Sequence, residues 1–228
     1  MPDFVLPGET VHQLPPEGKT PISTGLRIHN DKIIAEQPGK FLMKGNSCVL
    51  ISSPSKYIPS AHDFVIGVIV DRLSENFKVD IDATEYAMLP FTEFESYTKK
   101  NRPDIPVNAL IYCRVTSIVG PDVETELSCL STEGKADGFG HLTGGYLVNV
   151  PISFCRKVLR SKEGPVSKLG KSLSFELAVG LNGKIWINSP SCQVTLFVAN
   201  ILKKVGEVTS TKQQEVIVDE ALKQFSSS

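Results

Sequence analysis

Short apolar segments separated by turn-forming residues fill the first 130 residues, and this pattern constrains the fold most. Between residues 25 and 52, four such segments are separated by clusters rich in Asn, Asp, Gly and Pro. Pro presets the backbone φ of a turn and Gly or Asn tolerates positive φ, so each cluster predicts a chain reversal. The predicted strands are 25–28, 32–36, 41–43 and 48–52, and they indicate a small N-terminal β-sheet.

A second group of β-segments follows between residues 60 and 131. Residues 77, 79 and 81 are apolar and alternate with charged residues, which is the pattern of a half-buried strand. In the last strand of this group, Leu127 and Cys129 are predicted to face inward and Ser128 outward. Five short strands in about seventy residues predict a small barrel of the OB type. The other four predicted strands are 64–70, 86–89, 109–119 and 123–130.

Residues 132–228 mix strand and helix patterns, so the chain is predicted to be mainly β with an α/β C-terminal part. Near-helical spacing places Cys155 and Leu159 on the apolar side of one helix. Apolar residues from 194 to 205 predict an amphipathic helix, with Ser189 as its N-cap and Pro190 at its first position. A final helix is predicted around 218–225. The predicted strands are 147–150, 174–179 and 184–188.

The distribution of charge supports three modules. Residues 1–59 carry a net charge of +1, residues 60–131 a net charge of −6 and residues 132–228 a net charge of +4. These ranges are the predicted N-terminal β domain, OB-type barrel and C-terminal module. A whole-chain charge of −1 excludes a generally basic nucleic-acid binder, so any nucleic-acid contact must come from a local patch.

The Cys and His residues indicate neither a disulfide framework nor a metal site. The chain has five cysteines, an odd number without a CxxC pair, which predicts unpaired thiols in a reducing compartment. Its four histidines are scattered, so no metal is predicted. No apolar run reaches about 18 residues, and the N-terminus lacks the pattern of a secretory signal; neither a membrane span nor secretion is expected.

No catalytic set or cofactor site is predicted. Gly164 and Gly170-Lys171-Ser172 resemble a phosphate-binding loop, but five residues separate the glycines where such a loop has four. The segment after it also has strand rather than helix character. Cys155 is predicted to be a buried core thiol, although Arg156 and Lys157 follow it in the sequence.

Two groups of cations are candidates for nucleic-acid contact. Lys99, Lys100 and Arg102 interrupt an acidic module, in a long barrel loop where OB-type proteins place phosphate contacts. Residues 156–184 carry seven Lys or Arg against two Glu, which fits either a phosphate-binding stripe or a solubilising face. For the barrel loop too, the alternative to phosphate contact is that its cations only form a solvated face. The remaining candidate RNA-binding residues are Lys78, Arg156, Lys157, Arg160, Lys168 and Lys171.

The segment Gly180-Leu181-Asn182-Gly183 is similar to the GxxG clamp with which KH domains hold a nucleotide backbone. It lies between two predicted strands, however, whereas the ordinary clamp joins two helices. Asn-Gly suits the positive φ of a hairpin, so a turn is favoured over a clamp. Trp186, three residues further on, is predicted to pack in the core rather than to stack on a base.

With these residues laid out, the chain resembles the S1/KH cap subunits of the RNA exosome over nearly its whole length. Pro7-Gly8-Glu9 resembles their N-terminal Pro-Gly-acid motif, and residues 57–67 resemble the segment that leads into their S1 barrel. Residues 180–187, GLNGKIWI, resemble their GxNG-x-I-W signature, which is the most specific of the three. Residues 99–103 and 110–112 resemble the eukaryotic forty-kilodalton class of this family more than its paralogue.

This resemblance implies an S1 (OB-fold) barrel, a degenerate KH domain and a non-catalytic role. Members of the family sit with two other cap proteins on a ring of six RNase PH-like subunits, and they guide single-stranded RNA, largely independently of sequence, towards a nuclease. They serve processing and decay of rRNA and other RNA in the nucleus, nucleolus and cytoplasm. Pro90 stands where an S1 domain commonly has a His, so backbone electrostatics should dominate over base stacking.

Three alternatives remain beside this hypothesis. A free-standing S1/KH regulator should bind RNA tightly by itself, which the near-neutral charge and the missing S1 aromatics argue against. An RNA-degrading enzyme would need a carboxylate–metal or phosphate site, which the sequence does not show. The paralogous cap subunit of the exosome is the third.

Overall fold

A computed structural model of the chain shows two compact units, Met1–Ser55 and Lys56–Ser228. The structure describes residues 4–14, 20–23, 25–52, 56–117, 124–161, 164–208 and 210–226. None of the helices in these ranges is long and apolar enough to cross a membrane.

The first unit consists of two three-stranded antiparallel sheets, ordered β1-β5-β6 and β2-β4-β3. Apolar residues from both sheets, including Val5, Ile33 and Phe41, form one core. Asn30 and Asp31 have positive φ between β3 and β4, which confirms the turn predicted there. The four predicted strands are present, and two further strands, one of only two residues, precede them. The strands are β1 (Phe4–Val5), β2 (Thr10–Gln13), β3 (Leu26–His29), β4 (Lys32–Ala35), β5 (Gly39–Lys44) and β6 (Ser47–Ser52).

The second unit begins with a closed five-stranded barrel, as predicted. The strand order is β11-β9-β8-β7-β10, and pairing of β10 with β11 closes it. Gly67 allows β7 and β8 to approach closely, because a Cβ atom at this position would collide with Val79. A short strand β12 extends the sheet beside β10. The elements are β7 (Phe64–Arg72), β8 (Asn76–Asp80), β9 (Ala87–Pro90), a 3-10 helix (Phe91–Glu93), β10 (Leu110–Ser117), β11 (Glu126–Ser128) and β12 (Gly140–Leu142).

The fifth barrel strand differs from its prediction. It covers only Glu126–Ser128, and Ser128 is buried together with Leu127 and Cys129 instead of facing outward. The alternation stops because the strand ends at Ser128, whose hydroxyl accepts a hydrogen bond from the backbone N–H of Leu130 at 3.0 Å. The predicted positions 118, 119 and 123 lie outside the described residues.

The rest of the second unit is a three-stranded antiparallel sheet, ordered β13-β15-β14, with four helices. Helices α1 and α3 pack on this sheet, and α4 packs on α2 and α3. The elements are β13 (Tyr146–Asn149), α1 (Ile152–Arg160), α2 (Pro165–Ser172), β14 (Glu176–Val179), β15 (Lys184–Asn188), α3 (Cys192–Glu207) and α4 (Thr211–Ser226).

Two helix predictions need correction. Helix α3 begins at Cys192 with Ser191 as its N-cap, because Ser189 instead donates a hydrogen bond to the carbonyl oxygen of Ser174 at 3.0 Å. In α1, Leu159 is 42% exposed and does not share the buried face of Cys155. All fully buried positions of α1 lie in its first four residues, so the last turn faces solvent.

Candidate nucleic-acid interface

The sheet of the C-terminal module is covered on both sides because strand β15 alternates strictly. Ile185 and Ile187 face the helices and join their core. Trp186 faces the other way and packs with Ile66 of the barrel strand β7 and with Ala178. Its indole Nε1 donates a hydrogen bond to the carbonyl oxygen of Gly144 at 2.9 Å. Barrel and sheet therefore share an apolar interface, and Trp186 is not available to stack on a base.

Asn182 ties the hairpin between β14 and β15 to the barrel. Its side-chain amide nitrogen donates to the carbonyl oxygens of Ile66 at 2.8 Å and Ile81 at 3.0 Å. Its amide oxygen accepts from the N–H group of Ile66 at 3.2 Å. Asn182 is buried, so these three hydrogen bonds satisfy groups that would otherwise have no partner.

The two glycines of the same loop are required by close packing. A Cβ atom on Gly180 would lie 2.8 Å from the backbone nitrogen of Ile66. Gly183 has a φ of +80°, and a Cβ atom there would lie 2.8 Å from the carbonyl oxygen of Val150. The loop is thus a tight turn held against the barrel, and Asn182 faces the barrel instead of solvent.

Lys184 also belongs to this junction and not to a basic surface. Its side chain is only 8% exposed, and Nζ lies 3.0 Å from a carboxylate oxygen of Asp82 in the barrel. The charge of Lys184 is therefore neutralised at the junction, and this residue drops out of the basic stretch 156–184.

A second polar contact lies near the start of α1. The buried hydroxyl of Tyr57 donates to Asp63 at 2.8 Å. Burial raises the pKa of the Asp63 carboxyl, while the Tyr57 hydrogen bond and the charge of Arg156 oppose that rise. Arg156 is half-buried, and its charge acts on this carboxylate.

The cations of the barrel loop are on the surface. Lys99, Lys100 and Arg102 are all exposed, and neither lysine has an ion pair among the described residues. The guanidinium of Arg102 donates to the carbonyl oxygen of Ser74 at 3.1 Å. This contact, with the ion pair of 2.7 Å between Arg72 and Asp104, holds the loop against the turn between β7 and β8. The loop therefore presents two lysines from an anchored base.

Lys78 lies on the outer face of β8, where its Nζ is 4.8 Å from the centre of the Tyr86 ring. Tyr86 is 45% exposed. An ammonium at this distance is attracted by the ring quadrupole, so Lys78 covers one face of the aromatic ring.

The cations of the C-terminal module lie on α1 and α2. Lys157, Arg160 and Lys171 are exposed, whereas Lys168 forms an ion pair of 2.7 Å with Asp219 of α4. Lys162 lies outside the described residues. Of the nine candidate RNA-binding residues, four are thus on the barrel and five on these two helices.

The chemistry of the cysteines is that of core residues. All five are free thiols, and only Cys192 is exposed. Burial raises the pKa of Cys155 to about 12, which keeps this thiol protonated. Among the residues that the structure describes, no three His, Cys, Asp or Glu side chains are placed to hold a metal ion.

Two features were missed from the sequence. One is the contact of Asn182 with the barrel, and the other is the existence of helix α2. A polar side chain in a hairpin gives no local sign that it reaches a strand over a hundred residues away. Helix α2 did have a signal, because Pro165 occupies its first turn, a favoured position for proline.

Comparison with known proteins agrees with this architecture. The family model of the S1 domain of exosome complex component RRP40 matches residues 57–140, and a KH domain model matches residues 145–193. A solved structure of a protein described as an exosome complex RNA-binding protein has a TM-score of 0.61, with 20% identity, over 75% of this chain and 99% of that chain. This last similarity concerns the fold.

Similar sequences cover most of the chain. Exosome complex component rrp40 of Schizosaccharomyces pombe is 33% identical over 92% of this chain and 91% of its own length. The human exosome complex component RRP40 is 32% identical over 84% of this chain and 72% of its own length. Exosome complex component Rrp4 of Pyrococcus horikoshii is 28% identical over 92% of this chain and 78% of its own length. The predicted S1/KH architecture and the predicted forty-kilodalton class are confirmed: this chain belongs to the RRP40 family of exosome complex components.

Proposed function

We propose that this chain is a non-catalytic RNA-binding cap subunit of the RNA exosome. It stabilises the RNase PH-like ring beside the other S1/KH cap subunits and guides single-stranded RNA towards the nuclease during rRNA processing and RNA decay. Membership of the RRP40 family carries this proposal, because the relatives are named as exosome components. A fixed pair of S1 and KH modules with surface cations supports it.

The absence of catalysis is part of the proposal. An RNA-cleaving site needs a group of acid/base, metal-binding or phosphate-binding side chains. The thiol of Cys155 cannot serve as a nucleophile or base in such a site, because it is buried and protonated. The purified chain should not cleave RNA with Mg²⁺ or inorganic phosphate. Cleavage that a point mutation within this chain abolishes would contradict the proposal.

We assign RNA phosphate contact first to the barrel loop. Lys99 and Lys100 project from an anchored loop without ion pairs among the described residues, and Arg102 lies beside them. Phosphate contacts carry little sequence information, so their loss should weaken all RNAs uniformly. Reversing all three charges in the rebuilt complex should flatten the slope of log K against log salt by about two units, at about 0.7 per contact on single strands.

A triple charge reversal elsewhere provides the control. Lys203, Lys204 and Lys212 are exposed cations on α3 and α4 and bring the same change of net charge. If both triple variants flatten the slope equally, the effect is one of net charge and not of the loop. An unchanged slope for the loop variant in an intact complex would move the assignment to α1 and α2.

We assign ring contact to the sheet β1-β5-β6 of the first unit. Phe4 pairs with Lys40 and Lys40 with Ile51, so these residues share one face, to which Leu42 also belongs. Phe4, Leu42 and Ile51 are 61%, 40% and 57% exposed. Exposed apolar residues grouped on one face mark an interaction surface.

The test of this surface is Ile51→Asp, which should prevent association with the RNase PH-like ring while leaving the melting temperature of the free chain unchanged. Ile28→Asp is the matched control, because Ile28 is 45% exposed on the other sheet of the same unit. Equal loss of assembly in both variants would contradict the assignment.

In cells, the tagged chain is expected in nucleus, nucleolus and cytoplasm.

A further inference from the structure

A cavity of about 420 Å³ lies between helices α1, α2 and α4. Phe154 and Val158 of α1 form one wall, Pro165 and Val166 of α2 a second, and Thr211 and Gln214 at the start of α4 a third. Its volume is within the range of pockets that hold small ligands or single peptide side chains.

Two contacts fix the position of α4, which forms one wall of this cavity. The side chain of Gln214 is buried and donates to the carbonyl oxygens of Val205 and Val208, which fastens α4 to the end of α3. The ion pair between Lys168 and Asp219 fastens α2 to α4. Since α4 is fixed to α2 and α3 by these contacts, an occupant would not have to order the wall that α4 forms.

The exposed guanidinium of Arg160 at the cavity favours an anionic occupant. Lys157 and Arg160 line it, and no carboxylate does so among the described residues. Arg160 is exposed and forms no ion pair within the part of the chain that the structure describes. The surface of the interior is mainly apolar, so the complementary ligand combines an apolar group with neighbouring negative charge.

A nucleotide fits this lining less well than a peptide does. Bases of single-stranded RNA bind by stacking on exposed aromatic faces. Phe154 is the one aromatic residue of the described lining, and only 3% of it is exposed. A phosphate alone would contact Arg160 but leave the apolar part of the interior empty.

We propose that this cavity binds a partner peptide through one large apolar side chain, with an acidic residue of the peptide beside Arg160. The cavity shares no lining residue with the barrel loop or with the exposed sheet of the first unit. It would allow the chain to recruit a protein segment by its C-terminal module while other surfaces contact RNA and ring.

The test is a selection of phage-displayed random dodecapeptides on the full chain, followed by calorimetric titration of an enriched synthetic peptide. Enriched sequences should carry an apolar residue next to Asp or Glu. Arg160→Glu should weaken the peptide by about tenfold or more, as expected for loss and reversal of one close charge contact. Ser167→Trp should abolish binding by filling the cavity.

Lys203→Glu is the matched control, since Lys203 is an exposed cation of α3 outside the lining, and it should change affinity less than about twofold. Thermal melting verifies that each variant is folded; if Ser167→Trp is not, Arg160→Glu decides. Absence of enriched peptides, or peptides insensitive to Arg160→Glu, would overturn the proposal. So would a single-stranded oligouridine probe that loses affinity in Arg160→Glu and Ser167→Trp while no peptide does.

Discussion

Asn182 and Ile66 form a reciprocal pair of hydrogen bonds, in which the side-chain amide of one residue contacts both the N–H and the carbonyl oxygen of the other. A side-chain amide used in this way imitates the edge of a neighbouring strand. The hairpin of the KH module is thereby joined to a barrel strand by hydrogen bonds as well as by apolar packing.

Asn182→Ala should therefore destabilise the second unit. The change leaves the N–H and carbonyl of Ile66 and the carbonyl of Ile81 buried without this partner, and we expect a loss of roughly 2–5 kcal/mol in the free energy of unfolding. Urea denaturation measures it. Asn188→Ala is the control, because the Asn188 amide makes one exposed contact of 3.4 Å with Glu176 and should cost less than about 0.5 kcal/mol. Equal effects would contradict the role given to Asn182.

Trp186→Ala should cost about 3–5 kcal/mol, since it removes a buried aromatic ring from the interface between barrel and sheet. Trp186→Phe should retain most of the packing and lose chiefly the hydrogen bond to Gly144, at about 1 kcal/mol. Thermal and urea unfolding distinguish the two variants. An alanine variant that melts like the parent would show that the indole contributes no packing.

Alkylation of the native chain should modify Cys192 and leave the other cysteines intact. Cys192 is exposed and the remaining four are buried. For Cys155, a pKa of about 12 leaves roughly one thiolate in ten thousand at pH 8, in addition to the steric protection. Mass spectrometry after treatment with iodoacetamide identifies the modified sites, and the same treatment in urea should modify all five. Rapid native labelling of Cys155 would contradict its position in the core.

The contribution of Asp63 to the stability of the second unit should decrease as the pH rises above 3.8, the ordinary pKa of an aspartate, because burial raises the pKa of Asp63 in the folded state. Between pH 3.8 and the raised pKa of folded Asp63, the folded state binds more protons than the unfolded state. Asp63 therefore makes the free energy of unfolding fall as the pH rises through this interval. Asp63→Asn should flatten this slope. Tyr57→Phe should steepen it, since the Tyr57 hydrogen bond lowers the same pKa. Urea denaturation at a series of pH values measures the slopes, and identical slopes in all three proteins would contradict the assignment.

The strands could largely be predicted because period-two patterns and turn residues are local. The β3–β4 hairpin was predicted from the turn cluster His29-Asn30-Asp31 between two apolar segments, and the alternation around Trp186 identified a buried strand. Which layer each face of that strand meets is not local information. Ile185 and Trp186 are both apolar, and only the fold assigns one to the helices and the other to the barrel.

Charge in the sequence was enough to select the candidate RNA-binding residues. It could not separate exposed cations from cations that are paired with a carboxylate in the fold. Lys184 and Lys168 look like surface cations in the sequence, yet each is paired with a carboxylate from a distant segment, Asp82 and Asp219. The cavity was not predicted because it depends on α2, a short helix in which Pro165 signals a helix start but Gly170 weakens the helical pattern.

Because the sheet β13-β15-β14 is covered on both sides, the second unit has no boundary at which it could be divided into two independently stable fragments. Separating the KH module from the barrel would expose Trp186 and Ala178 on one fragment and Ile66 on the other, and would leave the amide of Asn182 without the strand that it binds. Barrel and KH module are therefore expected to unfold in a single cooperative transition, and insertions or deletions that shift β15 by one residue would disrupt both cores together.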